Sequence, residues 1–339
     1  MLFQKDSFFD PIKITNINDG HKITILPPEN EVLPVCISKS RINTGGNSLN
    51  FILEYTNKKI LLKAVKKNLS NHEFLFKNST LLKSIFNTPQ PVKFLTGKYT
   101  YEDENFIWLQ QEFIVGEYFS GDKQEFGKVI ELIASLYKYR IKISNIFSKN
   151  LNEIIYDHKN IEKQFFNYVC QFKKESKLFE TLPIKSQKLI SSKKLKPINF
   201  YVRKEEMMAC HIDLHPQNMI IDKNKNIFIL DIASITNFPI KVAYSFAIFK
   251  NFRHYVAKSE EFNNESVNFF REAVYSIFSE DYIIEEILKS AQVEYMRRAN
   301  NVFSEIVNGG KSKWIENLSV QLAGVCETSH VFYSEQESL

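Results

Sequence analysis

Residues 209–234, ACHIDLHPQNMIIDKNKNIFILDIAS, hold the densest set of side chains in the chain that could do chemistry. Asp213 lies in a polar loop, Asn218 follows five positions later, and Asp231 closes a second apolar run. The apolar runs 219–221 and 227–230 flank DKNKN, which is turn chemistry, so the block predicts a β-hairpin. Counted from a turn centred between Asn224 and Lys225, Asn218 and Asp231 are equidistant. An antiparallel pair in that register sets the two side chains side by side at the open end, roughly 5 Å apart. A carboxamide oxygen and a carboxylate at that spacing suit Mg2+, with phosphate oxygens and water completing the shell. Asp213, on the loop before the hairpin, can hang over the same point. A rival reading takes His211, Asp213 and His215 as alternate positions of a strand that face one way and bind zinc. It leaves Pro216 and the hairpin pair without a role, and His215 reads better as a hydrogen-bonded stabiliser of the loop.

The elements that must position this block differ on its two sides. Residues 1–115 read as strand-rich: NFILEYT (50–56) alternates, and KILLKAV (59–65) follows an Asn57-Lys58 turn signal, which predicts a hairpin. NHEFLFKNSTLLKSIF (71–86) then spaces Phe74, Leu75, Leu81, Leu82 and Ile85 as on a helix, with Asn71 a candidate N-cap. NFIWLQQEFIV (105–115) reads as an apolar strand ending in Gly116. After Gly121 the pattern turns helical: residues 125–139 carry Phe126, Val129, Ile130, Ile133, Leu136 and Tyr137 on one stripe. Residues 150–180 and 259–307 also read as helical. The boundary falls near residues 115–121, where Gly116 and Gly121 can flex, giving two domains, 1–116 and 117–339.

Composition limits the alternatives. The 339 residues are 44% hydrophobic and 24% charged, which excludes a disordered or fibrous chain. Only ten are glycine, with none between Lys128 and Asn308, so a phosphate turn that needs glycine must lie near the N-terminus. The net charge of +5 is unevenly spread: +2 over residues 1–120, +9 over 121–250 and −6 over 251–339. The lysines at 185, 188, 193, 194 and 196 read as a solvated face, and a pI near 8.7 does not single out nucleic acid as a partner. Four cysteines lie far apart with no C-x-x-C pair, which argues against a disulfide framework or a zinc cassette. No stretch approaches the ~20 apolar residues of a membrane span, and the first residues do not read as a signal peptide. A cytoplasmic protein with no membrane or nucleic-acid partner is expected.

The loop His211-Ile212-Asp213-Leu214-His215-Pro216-Gln217-Asn218, with Asp231 downstream, resembles the catalytic apparatus of the kinase fold. In particular it resembles the aminoglycoside phosphotransferase/choline kinase family of small-molecule kinases, whose loop reads H-G-D-x-H-P-x-N and is followed by a later Asp. The resemblance covers about residues 35–240. It implies an α+β, bilobal protein-kinase-like fold, with a small strand-rich N-lobe that binds nucleotide and a larger, mainly helical C-lobe that carries catalysis and substrate. It also implies ATP (GTP is not distinguished) and Mg2+ as cofactors, and a small-molecule hydroxyl as acceptor. Residue by residue, Gly45 and Gly46 match the phosphate turn, and Lys63 matches the strand lysine on the α- and β-phosphates. Glu73 matches its acidic partner, and Glu112 lies in QQEFIVGEYF (110–119) at the hinge that meets the base. Asp213 matches the catalytic base, and Asn218 and Asp231 match the metal ligands. The chain departs from the pattern at Ile212, where the family has Gly, and at Gln217, where Gly is common. DIAS also lacks the Gly of D-F-G, and residues 238–247 lack a further Asp. A nucleotide-binding pseudokinase or scaffold without turnover is the alternative. The −6 of the last quarter leans toward an amine-bearing acceptor (aminoglycoside, choline or ethanolamine type).

Overall fold

The structure, a computed structural model, describes residues 7–8, 11–17, 20–25, 38–42, 48–55, 58–66, 72–94, 97–102, 106–147, 151, 154, 156–202, 206–259, 264–278, 284–309 and 314–336. In chain order the first part forms β1 Ser7–Phe8, β2 Pro11–Ile17, β3 Gly20–Ile25, β4 Ser38–Ile42, β5 Ser48–Tyr55, β6 Lys58–Lys66, α1 His72–Leu82, β7 Pro91–Phe94, β8 Thr100–Glu102, β9 Phe106–Glu112 and β10 Gly116–Tyr118. The helical part follows with α2 Lys123–Lys138, α3 Arg140–Phe147, α4 His158–Lys174, α5 Ser176–Glu180 and α6 Ile184–Ser191. Then come β11 Met207–His211, β12 Met219–Asp222, β13 Ile227–Ile229, β14 Ile235–Pro239, α7 Ile240–Ser259, α8 Asn264–Phe278, α9 Ile284–Val307 and α10 Leu318–Gln336. The chain divides into two compact units: Met1–Glu117 with Ile220–Ala233, and Tyr118–Met219 with Ser234–Leu339. The hairpin that follows the polar loop thus groups with the strand-rich unit.

The first unit is built on a sheet of order β1-β7-β9-β6-β5-β4, with β8 also pairing β9. The alternation read in 50–65 produces its centre: β5 and β6 pair from Ser48↔Val65 to Tyr55↔Lys58. Lys58 is thus already paired in β6, and residues 56–57 lie outside the described residues. One face buries Phe51, Leu53, Ile60, Leu62, Ala64, Val92, Phe94 and Trp108. On the other face Val65 and Leu109 pack with Phe76 of α1. Lys63, between Leu62 and Ala64, therefore shares the α1 side of the sheet. The N-cap expected at Asn71 lies outside the described residues.

The hairpin docks on this unit through its own backbone. Ile229 N donates to Asn87 O at 3.0 Å, and the Thr88 hydroxyl donates to Ile229 O at 3.0 Å. β12 also pairs β10. A Cβ on Gly116 would stand 2.3 Å from Ile221 O, so this glycine is a close-packing position rather than only a flexible one.

The hairpin register corrects the symmetric count. Asp222 N donates to Asn226 O at 3.0 Å, and Lys225 N donates to Asp222 O at 2.9 Å. Lys225 has φ +64°. That is a three-residue loop whose last residue is a left-handed bulge, a position usually given to glycine. The loop centre is Asn224, so each β12 residue faces a residue one position earlier on β13 than expected. Asn218 and Asp231 therefore do not share a rung, and any joint role must rest on side-chain reach.

The second unit is helical, with one small sheet. The stripe read in 125–139 is buried on α2 at Phe126, Val129, Ile130, Ile133 and Leu136, and Asp122 caps the helix by accepting from Glu125 N. Gly121, at φ +87°, is the left-handed entry to that cap. α9 is the central helix; Ile287, Leu288, Ala291, Val293, Tyr295, Met296 and Ala299 are all buried. β11 pairs antiparallel with β14, from Met207↔Pro239 to His211↔Ile235. β14 has no counterpart in the sequence reading. Among the described residues Cys170, Cys210 and Cys326 are free thiols; Cys36 lies outside the described residues. Among the described residues no helix is long and apolar enough to cross a membrane.

Candidate active site

In the first unit the strand lysine and the hairpin aspartate meet. Lys63 Nζ donates to Asp231 Oδ1 at 2.8 Å, with both side chains partly buried. β6 fixes the lysine by its rungs to Asn50 and Leu109. Asp231 follows β13, where the anchoring of Ile229 on residues 87–88 sets its place. Sequence spacing of 168 residues is closed here by sheet geometry. Glu112 ends β9 exposed, its carboxylate accepting from Gln90 N at 3.2 Å. Glu73 lies in α1, but its side chain is outside what the structure describes. Gly45 and Gly46 are outside the described residues.

In the second unit the polar loop leaves β11 and is fastened at several points. Ile212 N donates to Ser234 O at 3.0 Å, and Asp213 N donates to His211 Nδ1 at 3.2 Å. Leu214 is fully buried, and its carbonyl accepts from Asn251 Nδ2 of α7 at 3.1 Å. Pro216–Asn218 forms a short helical turn capped by His215, whose Nδ1 accepts from Gln217 N at 3.2 Å. With Nδ1 an acceptor, Nε2 carries the proton and lies 3.2 Å from Asp213 Oδ2. Burial, opposed in part by Asp213, lowers the His215 pKa, so the ring is neutral near pH 7. The loop-stabilising reading of His215 holds. β11 ends at His211, so His211, Asp213 and His215 do not alternate on a strand. Among the described residues no group of three or more His, Cys, Asp and Glu is placed to hold a metal ion.

Asp213 is surrounded by donors from the protein itself. Arg298 Nη1 donates to Oδ1 at 2.9 Å, and Lys250 Nζ stands 3.8 Å from the same oxygen. Asn218 Nδ2 donates to Oδ2 at 3.2 Å and to the Asp213 carbonyl at 2.9 Å. Burial pushes the carboxyl upward, but Arg298, then His215 and Lys250, outweigh it and hold the pKa well below its ordinary 3.8. Arg298 also donates from Nη2 to Ile212 O at 2.8 Å and from Nε to Glu294 at 2.8 Å. It thereby staples the residue that stands where the family pattern has glycine. Glu294 is shared with Arg297 at 2.7 Å.

Arg298, Lys250 and Asn251 escaped the sequence reading. They lie on long helices with no motif, and only the Arg297-Arg298 doublet could have drawn attention.

No family model matches the sequence, and no curated protein matches it. Solved structures do. Spectinomycin phosphotransferase, crystallised with ADP and spectinomycin, superposes with a TM-score of 0.58 at 16% identity, covering 89% of this chain and 94% of its own. The chain has the kinase-like fold of the aminoglycoside and choline kinases. A choline kinase from Cryptosporidium parvum Iowa II gives a TM-score of 0.55 at 12% identity over 92% of this chain and 94% of its own. An amicoumacin kinase, solved with AMP-PNP, Ca2+ and its substrate, gives 0.55 at 13% identity over 85% and 88%. The expected fold class, a strand-rich unit followed by a mainly helical one, is thus the observed one.

Proposed function

We propose that the chain is an ATP-dependent O-phosphotransferase that moves a γ-phosphoryl group to a hydroxyl of a small molecule. The observation that carries this reading is the state of Asp213: a carboxylate kept ionised by Arg298, on a loop fastened to α7, α9 and Ser234 just before β14. Such a group accepts a hydrogen bond from an alcohol, orients it, and takes the proton late, as a loose phosphoryl transition state requires. The depressed pKa makes Asp213 a weak base and a strong orienting charge.

The metal ligands fit a hard cation by chemistry. Asn218 presents its amide nitrogen to Asp213, which leaves Oδ1 as the atom for a cation, and Asp231 supplies a carboxylate. Mg2+ held by Asn218 and Asp231 would mask nucleotide charge. Lys63, already fixed on β6, would hold the phosphate tail, with Gly45 and Gly46 offering backbone N–H groups and Glu73 orienting the lysine. Glu112 would lie at the hinge that meets the base. Residues 1–116 would serve as the nucleotide-binding lobe and 117–339 as the catalytic and substrate-binding lobe.

Part of the acidic charge that leans toward an amine-bearing acceptor is already neutralised. Glu294, Glu286 and Glu327 of the acidic quarter are paired with Arg297 and Arg298, Lys241, and Arg253. They are structural charges rather than a free anionic surface.

The test is ADP release from Mg·ATP with a panel of hydroxyl acceptors. Turnover that vanishes in Asp213→Asn while ADP still binds supports the assignment. Nucleotide binding without turnover in the wild type would favour the scaffold reading.

A further inference from the structure

Two cations converge on the Asp213 loop from different helices. Arg298 of α9 and Lys250 of α7 both approach Asp213 Oδ1, at 2.9 and 3.8 Å. Both also lie over the ring of buried Phe246, 4.2 and 5.3 Å from its centroid. The two differ in how well they are satisfied. Arg298 donates to Asp213, Glu294 and Ile212 O. The described neighbours of Lys250 offer its ammonium no acceptor nearer than the 3.8 Å carboxylate oxygen. That oxygen is already engaged by Arg298.

Charge around the loop does not balance. Lys250, Arg297 and Arg298 face Asp213 and Glu294, and His215 is neutral, so one positive charge is left among these groups. Arg253, next along α7, is taken by Glu327 and Tyr295. The Lys250 side chain keeps 18% of its surface exposed, so the ammonium has donors open to an incoming acceptor. Burial lowers the Lys250 pKa to about 8, the opposing pull of Asp213 notwithstanding. An added cation would meet repulsion from both groups; an added anion would meet complementary donors.

We propose that the acceptor is an anionic polyol or hydroxy acid, whose carboxylate or phosphate is held by Lys250 beside Arg298 while a hydroxyl a few bonds away meets Asp213. The proposal rests on the phosphotransfer reading and names its substrate class. Lys250 is then the specificity-determining residue. The step itself balances as in any kinase: the substrate O–P bond forms, the bond from Pγ to the bridging oxygen breaks, and ADP leaves with that electron pair. The hydroxyl proton passes to Asp213 and on to solvent.

The experiment uses the full chain with Mg·ATP and follows ADP release. Gluconate and glycerate serve as carboxylate probes, and glycerol 3-phosphate and ribose 5-phosphate as phosphate probes. Glycerol and ribose are the neutral counterparts, and choline, ethanolamine and kanamycin the cationic ones. The expected result is turnover with one or both anionic sets in preference to the neutral and cationic ones. Lys250→Met should raise the KM of that acceptor about 10- to 100-fold with the ATP KM unchanged, and Lys250→Arg should restore most of it. Preference for a cationic or neutral acceptor would overturn the proposal and leave phosphotransfer standing. So would a Lys250→Met variant that weakens ATP and not the acceptor, which would assign the lysine to the nucleotide phosphates. Should no acceptor turn over, the phosphotransfer reading fails, and thermal melts decide the anion site alone. Wild-type Tm should then rise with gluconate or inorganic phosphate above a sodium chloride control of equal ionic strength, and the rise should be absent in Lys250→Met. No rise in the wild type would overturn the site. Because the panel and the wild-type melts need no variant, misfolding of Lys250→Met cannot obscure the answer.

Discussion

The two units surround their candidate-site aspartates in different ways. Asp231 is paired with Lys63 at 2.8 Å, a strand cation of the same unit. Asp213 is surrounded by Arg298, Lys250, His215 and Asn218, gathered from two helices and its own loop, with positive charge to spare. The first arrangement suits a group that exchanges one cation for another, as a metal ligand must. The second suits a group that must stay ionised and fixed while a neutral hydroxyl comes to it. The origin of these neighbours, strand for one and helices and loop for the other, rather than residue type, separates the two aspartates.

The largest effect that would break this contrast is loss of the orienting charge. Asp213→Asn should lower kcat about 10²- to 10⁴-fold with nucleotide Kd nearly unchanged, measured by ADP release and by calorimetry. Asp231→Ala should instead abolish the metal dependence of nucleotide binding; equal nucleotide affinity with and without Mg2+ in the wild type would count against its role.

Arg298→Ala comes next. It removes the group that holds Asp213 low, so the Asp213 pKa rises and the acid limb of the pH–rate profile moves to higher pH. The sign follows from the depressed pKa: the wild-type carboxylate is ionised above a value well below 3.8 and loses its charge only as pH falls through it. The same change leaves Ile212 O and part of Glu294 without a donor, at a cost of about 1–3 kcal/mol in denaturant unfolding. An unmoved acid limb would mean that Arg298 is only a structural staple.

Lys250 should show itself in the alkaline limb. It is charged below about pH 8 and neutral above, so the KM for an anionic acceptor should climb as pH rises through that value, while a neutral acceptor shows no such limb. Asp213 on the loop, Arg298 and Glu294 on α9 and Arg253 on α7 all face it, which makes the transition sensitive to variants at any of them.

The smallest expected effect lies at the hairpin turn. Lys225 holds a left-handed φ of +64° without glycine, so Lys225→Gly should raise stability by up to about 1 kcal/mol, read as a small rise in Tm. Kinetic constants should not change.

Much of the fold was legible because it is written locally. The two-residue period of 50–65 gave the central hairpin and placed Lys63 opposite the Leu62 and Ala64 face. The helical stripe of 125–139 gave α2 with its buried positions. The hairpin at 219–229 was also legible, but its register was not. Turn signals mark where a chain reverses, whereas the count of loop residues depends on which of them accepts a left-handed conformation. Lys225 does so in a segment that has no glycine. Glycine scarcity, which on composition alone pointed a phosphate turn to the N-terminus, thus has a structural counterpart in the loop as well: Arg298 binds the carbonyl of Ile212 where the family pattern has Gly.

The sequence alone determined the order of strand-rich and helical parts, the identity and spacing of Asp213, Asn218 and Asp231, and the strand position of Lys63. Each follows from periodicity or from residues close together in the chain. Tertiary structure alone decided which cations attend each carboxylate. Arg298 reaches Asp213 across 85 residues because the packing of α9 brings it to the loop. Three acids of the last quarter, Glu286, Glu294 and Glu327, are taken up in ion pairs by that same packing. A charge count cannot distinguish a carboxylate that faces a ligand from one already bound to an arginine; only the distance between them can.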